Sequence, residues 1–162
     1  MNVLLVDDDP SDAELISRLL EQWQPTTIMK AASCDEALDV LKAWPIDCVI
    51  MDQNLIGMNG AACVASVRKV YLGALVMLTG FPDVQVAVLA MRHGADDFLS
   101  KDHMMTALIP AVEAAVTRRA GIVESERRRA EEQKRLRRVF RELQDLQTTV
   151  RDMLQDHADS DG

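Results

Sequence analysis

Val3-Leu4-Leu5-Val6-Asp7-Asp8-Asp9-Pro10 is a short apolar run that stops abruptly in acids, and the same figure recurs down the chain. Cys48-Val49-Ile50-Met51 runs into Asp52, Leu75-Val76-Met77-Leu78 into Thr79-Gly80, and the briefer Phe98-Leu99-Ser100 into Lys101. A weaker run spans Thr26 to Ala31. Runs this short, without polar alternation, are strands buried on both faces. Helical periodicity fills the gaps. Ser11 with Glu14, and Ser33 with Glu36, have capping-box spacing and open helices carrying Leu15, Ile16, Leu19, Leu20 and Trp23, then Ala37, Leu38 and Leu41. A loop from Gln53 to Asn59 precedes a helix through Val64, Val67 and Val70. Asp83 caps a fourth helix, Gly94 is placed as its stop, and a fifth begins near Met104 with Pro110 in or near its first turns. Strands alternating with helices predict an α/β fold, a doubly wound parallel sheet of five strands with right-handed crossovers.

In such a sheet ligands gather at the carboxyl ends of the strands. Those ends carry Asp7 and Asp8, Asp52, Thr79 and Lys101. Carboxylates from two adjacent strands in one pocket repel unless a cation neutralises them, and an all-oxygen donor set suits magnesium. A hydroxyl and an ammonium from the next two strands complete a site shaped for a phosphoryl dianion. Asp52 is the candidate nucleophile, because a carboxylate can attack a phosphoryl donor and form an acyl phosphate.

These residues, in this order and at these spacings, together with Gly94-Ala95-Asp96-Asp97-Phe98-Leu99-Ser100-Lys101, carry a resemblance. Residues 1–119 resemble the receiver domain of bacterial two-component response regulators (CheY-like). The resemblance implies the flavodoxin-like strand order 2-1-3-4-5. It implies that Asp52 is the phosphoacceptor for a sensor histidine kinase. Asp7, Asp8, Asp52 and the backbone carbonyl of Asn54 would hold Mg2+, and Lys101 would pair with the phosphoryl oxygens. Thr79 and Phe98 would be the switch pair, and Asn54 and Phe81 the positions that tune autodephosphorylation. Phe81 cannot orient a water by hydrogen bonding, which predicts slow loss of phosphate. Three departures stand out: Asp102 where the family has a proline after the lysine, Ile56 in place of a loop proline, and Asn59 in place of an acid.

Composition agrees with one domain and an appendage. The chain has 162 residues, 48% of them hydrophobic, and a formal charge of −8. Residues 1–120 hold 16 acids and 9 bases, whereas residues 121–162 hold 10 and 9. This balance disfavours nucleic acid and anionic membranes as partners. No run approaches a bilayer span and the start lacks a cationic leader, so a cytoplasmic chain is expected. Cys34, Cys48 and Cys63 form no CxxC pair and are expected to be buried thiols in a reducing compartment. His93, His103 and His157 lack metal-ligand spacing.

From Gly121 the pattern changes to heptads. Leu136, Leu143 and Val150 alternate with Val139, Leu146 and Met153, so that three successive heptads are apolar at both core positions. Residues 120–155 are therefore expected to form a helical coiled-coil extension, about 50 Å long at ~1.5 Å per residue. A parallel homodimer joined through 136–154, with 156–162 as a disordered tail, is the expected arrangement. The arginines of 127–129 and 135–138 are not expected to contact DNA, because Glu126, Glu131 and Glu132 interrupt them and the base-reading residues of a basic zipper are absent; a solvated face with pairs such as Glu131–Arg135 is expected.

No output domain is recognisable among these residues, so signalling through protein–protein contacts is expected, with no enzymatic activity beyond self-catalysed phosphotransfer and autodephosphorylation. Two other readings are open. The chain can be the N-terminal receiver and signalling helix of a longer protein with a catalytic output domain. Less in keeping with Asn54, where aspartate-nucleophile phosphatases carry a further acid, it can be a phosphohydrolase acting on an outside substrate.

Overall fold

The computed structural model describes the backbone of residues 1–160, and their side chains except at 150 and 152–160. Among the described residues the five strands of the main sheet alternate with five helices: β1 (Asn2–Val6), α1 (Pro10–Trp23), β2 (Thr27–Ala31), α2 (Cys34–Ala43), β3 (Cys48–Asp52), α3 (Gly60–Val67), β4 (Ala74–Thr79), α4 (Val84–His93), β5 (Asp97–Ser100) and α5 (Met104–Ser160). All strand pairs of the main sheet are parallel and the order is β2-β1-β3-β4-β5, as expected. The chain leaves β1 for β2 on one side and returns to β3 on the other. That reversal puts the topological switch point between the ends of β1 and β3.

Both faces of the sheet are covered, which is why the strands read as continuous apolar runs. Leu4, Val6, Val49, Met51, Leu75 and Met77 pack with Ala37 of α2, Cys63, Val64 and Val67 of α3, and Ala90 of α4. Alternate residues, Val3, Leu5, Ile50, Val76 and Leu78, pack with Ile16 and Leu20 of α1 and Leu108, Val112 and Ala115 of α5. Truncating any of the central aliphatics, Ile50→Ala for example, costs about 2–5 kcal/mol through lost transfer energy and a residual cavity.

Local chemistry sets where elements start. The cap of α1 is Asp9 and not Ser11: its Oδ1 accepts from the Ser11 and Asp12 amides at 2.7 and 3.4 Å, and Pro10 takes the first helical position. Ser33 caps α2 by accepting from Glu36 N, while the Glu36 carboxylate reaches back to Ala32 N at 2.8 Å. Asp83 caps α4 and Gly94 ends it at φ +107°, a left-handed conformation that favours glycine.

One expectation fails here. Cys34 and Cys63 are joined in a disulfide between α2 and α3, with Cα atoms 5.7 Å apart. Only Cys48 is a free buried thiol, its pKa pushed up to about 12 by burial. The pairing depends on the fold bringing together two positions 29 residues apart, which spacing does not encode. The expected tail starts at 156, within α5, whose backbone continues to Ser160. Residues 161 and 162 of the expected tail lie outside the described residues.

The chain divides into two units, Met1–Gly121 and Ile122–Gly162. In the second, Leu136, Val139, Phe140, Leu143 and Leu146 are all exposed. Val150 and Met153, the remaining seam positions, lie outside the described side chains. Glu131 pairs with Arg127 at 3.0 Å rather than with Arg135, and Arg138 with Glu142 at 3.0 Å. Among the described residues no helix is long and apolar enough to cross a membrane.

Candidate functional site

The carboxyl ends of β1 and β3 bring Asp7 and Asp52 together, and Lys101, just past β5, reaches in between them. Lys101 Nζ lies 3.0 Å from Asp7 Oδ2 and 2.7 Å from Asp52 Oδ1. Its third partner is Asp12 Oδ2, at 2.6 Å. Asp7 and Asp52 are 7% and 5% exposed, so the ammonium is their counter-charge in a nearly dry pocket. Each acid also accepts one amide: Asp7 Oδ1 from Asp9 N at 2.8 Å, and Asp52 Oδ2 from Asn54 N at 2.6 Å.

Burial opposes charge at Asp7 and at Lys101. It raises the Asp7 carboxyl above its usual range, with the Asp9 amide and Lys101 pulling the other way. Burial alone would lower the Lys101 ammonium, but its hydrogen bonds to Asp12, Asp52 and Asp7 outweigh that and hold it well above its usual range. Asp8 is half-buried and lines an open cleft beside the cluster with Asp7, Glu14, Lys30 and Glu36.

The backbone fits tightly around Asp52. A Cβ on Gly60 would meet the Asp52 carbonyl oxygen at 2.5 Å, so only glycine lets α3 start this close to the acid. The segment after Asp52 forms a small antiparallel hairpin, Asn54–Leu55 with Met58–Asn59, turning at Gly57. Asn59 Oδ1 caps α3 at Ala61 N and accepts from Gln53 Nε2. Ile56 is exposed on that hairpin.

Thr79, buried at the end of β4, turns its hydroxyl into its own loop. It donates to the Phe81 carbonyl at 3.2 Å and accepts from the Phe81 amide at 3.1 Å. Phe98 is half-buried against the core from β5, whereas Phe81 is 82% exposed. The Lys101–Asp102 peptide bond is trans, as are all peptide bonds among the described residues, and the chain turns there in a single 3-10 turn, Lys101–His103, with Ser100 Oγ accepting from Asp102 N.

The cluster thus unites Asp7, Asp52 and Lys101, places Asp8 at its rim, and adds Asp12. The donor set, carboxylates and carbonyls only, is that of a hard divalent cation. Among the described residues no three acidic, histidine or cysteine side chains already stand as a ligand group, and Lys101 occupies the space between the two buried carboxylates. A cation and the lysine would therefore divide the negative charge that the lysine now balances alone.

The family model of the response regulator receiver domain matches residues 3–113. The chain belongs to that family. The receiver shares 30% identity over 100 residues with the transcriptional regulatory protein YvrH of Bacillus subtilis, covering 62% of this chain and 42% of YvrH. With the DNA-binding response regulator MtrA of Mycolicibacterium smegmatis it shares 33% over 117 residues, 72% of this chain and 50% of MtrA. The crystal structure of a response regulator receiver domain protein from Clostridium thermocellum, 28% identical, superposes with a TM-score of 0.68 over 75% of this chain and 98% of that one. The chain spans about half the length, or less, of these curated relatives. Within this receiver the lysine is held by three acids, one of them outside the motif that identifies the family.

Proposed function

We propose that this chain is a cytoplasmic phosphorylation switch in which Asp52 accepts a phosphoryl group from a sensor histidine kinase. The observation that carries the reading is the Lys101 ammonium, 2.7 Å from Asp52 and 3.0 Å from Asp7 at the switch point of the sheet. An Asp52 carboxylate oxygen attacks phosphorus, the phosphorus–nitrogen bond of the donor phosphohistidine breaks, and the departing imidazole takes up a proton. Asp7, Asp8, Asp52 and the Asn54 carbonyl would hold Mg2+, which when bound neutralises the charge gathering on the phosphoryl oxygens. Lys101 pairs with one of those oxygens and so lets go of part of its acid cluster.

The switch follows from the competition for Thr79. Its hydroxyl is engaged by Phe81, and a phosphoryl oxygen is a stronger acceptor than a neutral carbonyl. Turning toward the phosphoryl group frees the Phe81 loop, and Phe98 on the neighbouring strand repacks into the space. Phe81 and Asn54 stand where autodephosphorylation is tuned, and the phenyl ring offers an attacking water no hydrogen bond, so the phosphoryl group is long-lived. Output runs through protein–protein contacts, with a homodimer formed along Leu136, Val139, Leu143, Leu146, Val150 and Met153. Since the relatives carry as much chain again, the same receiver and helix can also serve as the input of a longer protein.

The test is phosphotransfer from acetyl phosphate with Mg2+, read by intact mass. One phosphoryl adduct on the native chain and none on Asp52→Asn is the expected result. An adduct that survives the substitution, or that forms equally well with chelator present, would refute the reading.

A further inference from the structure

We propose that the C-terminal helix pairs with a second copy of this chain in antiparallel orientation, which replaces the parallel arrangement expected from the heptads alone. The proposal rests on the dimer reading above and adds its geometry. Leu136, Phe140 and Leu146 are each more than 60% exposed, and Val139 and Leu143 complete the same stripe, a face that water penalises and a partner helix would cover. The stripe is common to both orientations. Charge is what separates them.

Residues 127–141 hold eight bases and two acids, a net +6; residues 142–162 hold one base and six acids, a net −5. Parallel strands would lay the basic half against the basic half and the acidic half against the acidic half. Antiparallel strands lay each basic half along an acidic one. With like charges opposed along residues 127–162 in one case and opposite charges along most of them in the other, the field favours the antiparallel pair.

The heptad arithmetic agrees. In an antiparallel pair the first core position of one helix faces the second of its partner. Centring the pair between Gln144 and Asp145 puts Leu143 opposite Leu146 of the partner subunit, Val139 opposite Val150 of the partner subunit, and Leu136 opposite Met153 of the partner subunit. Every apolar seam position in that stretch meets an apolar one. Continuing outward, Glu132 comes opposite the partner's His157 and Arg129 opposite the partner's Ser160. In parallel register the same core positions would oppose Arg129 to its own copy and Glu132 to its own copy, like charges inside the seam. At the flank, Arg135 lies beside the partner's Asp156.

The test uses the full chain carrying one nitroxide at a time, on Gln133→Cys or on Gln144→Cys, two uncharged and exposed positions. The native cysteines take no label, since Cys48 is buried and the other two are bonded. Antiparallel pairing sets the two Gln133→Cys labels about 35 Å apart along the axis, at ~1.5 Å per residue, and the Gln144→Cys labels within about 20 Å. Short distances at both sites would overturn the orientation and leave the dimer standing. No intermolecular distance at either site, with a monomer by light scattering, would overturn the dimer and this proposal with it. Salt supplies an independent sign. Moving from low to high ionic strength weakens an antiparallel pair by about fivefold, from several screened pairs, and would tighten a parallel one.

Discussion

Lys101→Met removes the cation that three carboxylates share while keeping the bulk of the side chain. Lys101 is 16% exposed, Asp7 and Asp52 less than that, and Asp12 about one-third. Taking one partner from a buried pair leaves uncompensated charge and costs about 3–5 kcal/mol. Water reaches Asp12, so the lower end applies, about 3 kcal/mol at neutral pH. For a unit of this size that corresponds to roughly a 10 °C loss in melting temperature. The loss is pH-dependent with a definite sign. Asp7 already has its carboxyl raised by burial, and Lys101 is one of the groups holding it down, so the variant raises it further. A carboxyl raised in the folded state penalises folding above that pKa, and the penalty fades as pH falls toward the unfolded value near 3.8. Thermal melts of native and variant chains at pH 7.5 and pH 5, in chelator and in millimolar Mg2+, are the assay. The deficit should shrink at pH 5 and in Mg2+. An unchanged melting temperature at pH 7.5, or equal deficits under all conditions, would refute the electrostatic reasoning.

Other parts of the molecule give further expected outcomes. Asp12→Asn frees one hydrogen bond of Lys101 and should speed phosphorylation by acetyl phosphate several-fold, as followed by the rate of adduct formation; a slower rate would show that Asp12 positions the lysine for the reaction. Asp96, buried between Arg68 at 2.7 Å and Arg119 at 3.0 Å and accepting from Leu75 N, holds the start of β4 to the loop before β5; Asp96→Ala should cost about 3–5 kcal/mol in urea unfolding. Reducing the Cys34–Cys63 bond reopens a loop closed over 29 residues and should cost about 3 kcal/mol, an effect that Cys34→Ser should abolish. Phosphorylated protein freed of donor should keep its adduct for minutes, and Phe81→Gln should shorten that lifetime; decay in seconds in the native chain would contradict the role given to Phe81.

The strands and the site acids are legible in the sequence because a parallel sheet buried on both faces leaves unbroken apolar runs, and the polar residues that end those runs gather at one edge of the sheet. Val6 before Asp7 and Met51 before Asp52 mark the two ends that meet. Asp12 escapes such a reading for a local reason. With Ser11 as the cap, Asp12 would only begin the helix; with Asp9 capping and Pro10 leading, it sits in a first turn that faces Lys101. The disulfide is invisible in the sequence because the approach of α2 and α3 is a product of packing. The antiparallel orientation proposed for a C-terminal pair is not contained in the apolar heptads and rests on counting the charges of the two halves separately.

The central claim is that one carboxylate, at Asp52, carries the phosphoryl group. Borohydride reduces an aspartyl phosphate to homoserine, so peptide mapping after acetyl phosphate and borohydride treatment reads the site directly. Homoserine at position 52 and at no other acid is the expected result. Homoserine at Asp7, Asp8 or Asp12, or at no position despite a mass adduct, would contradict it.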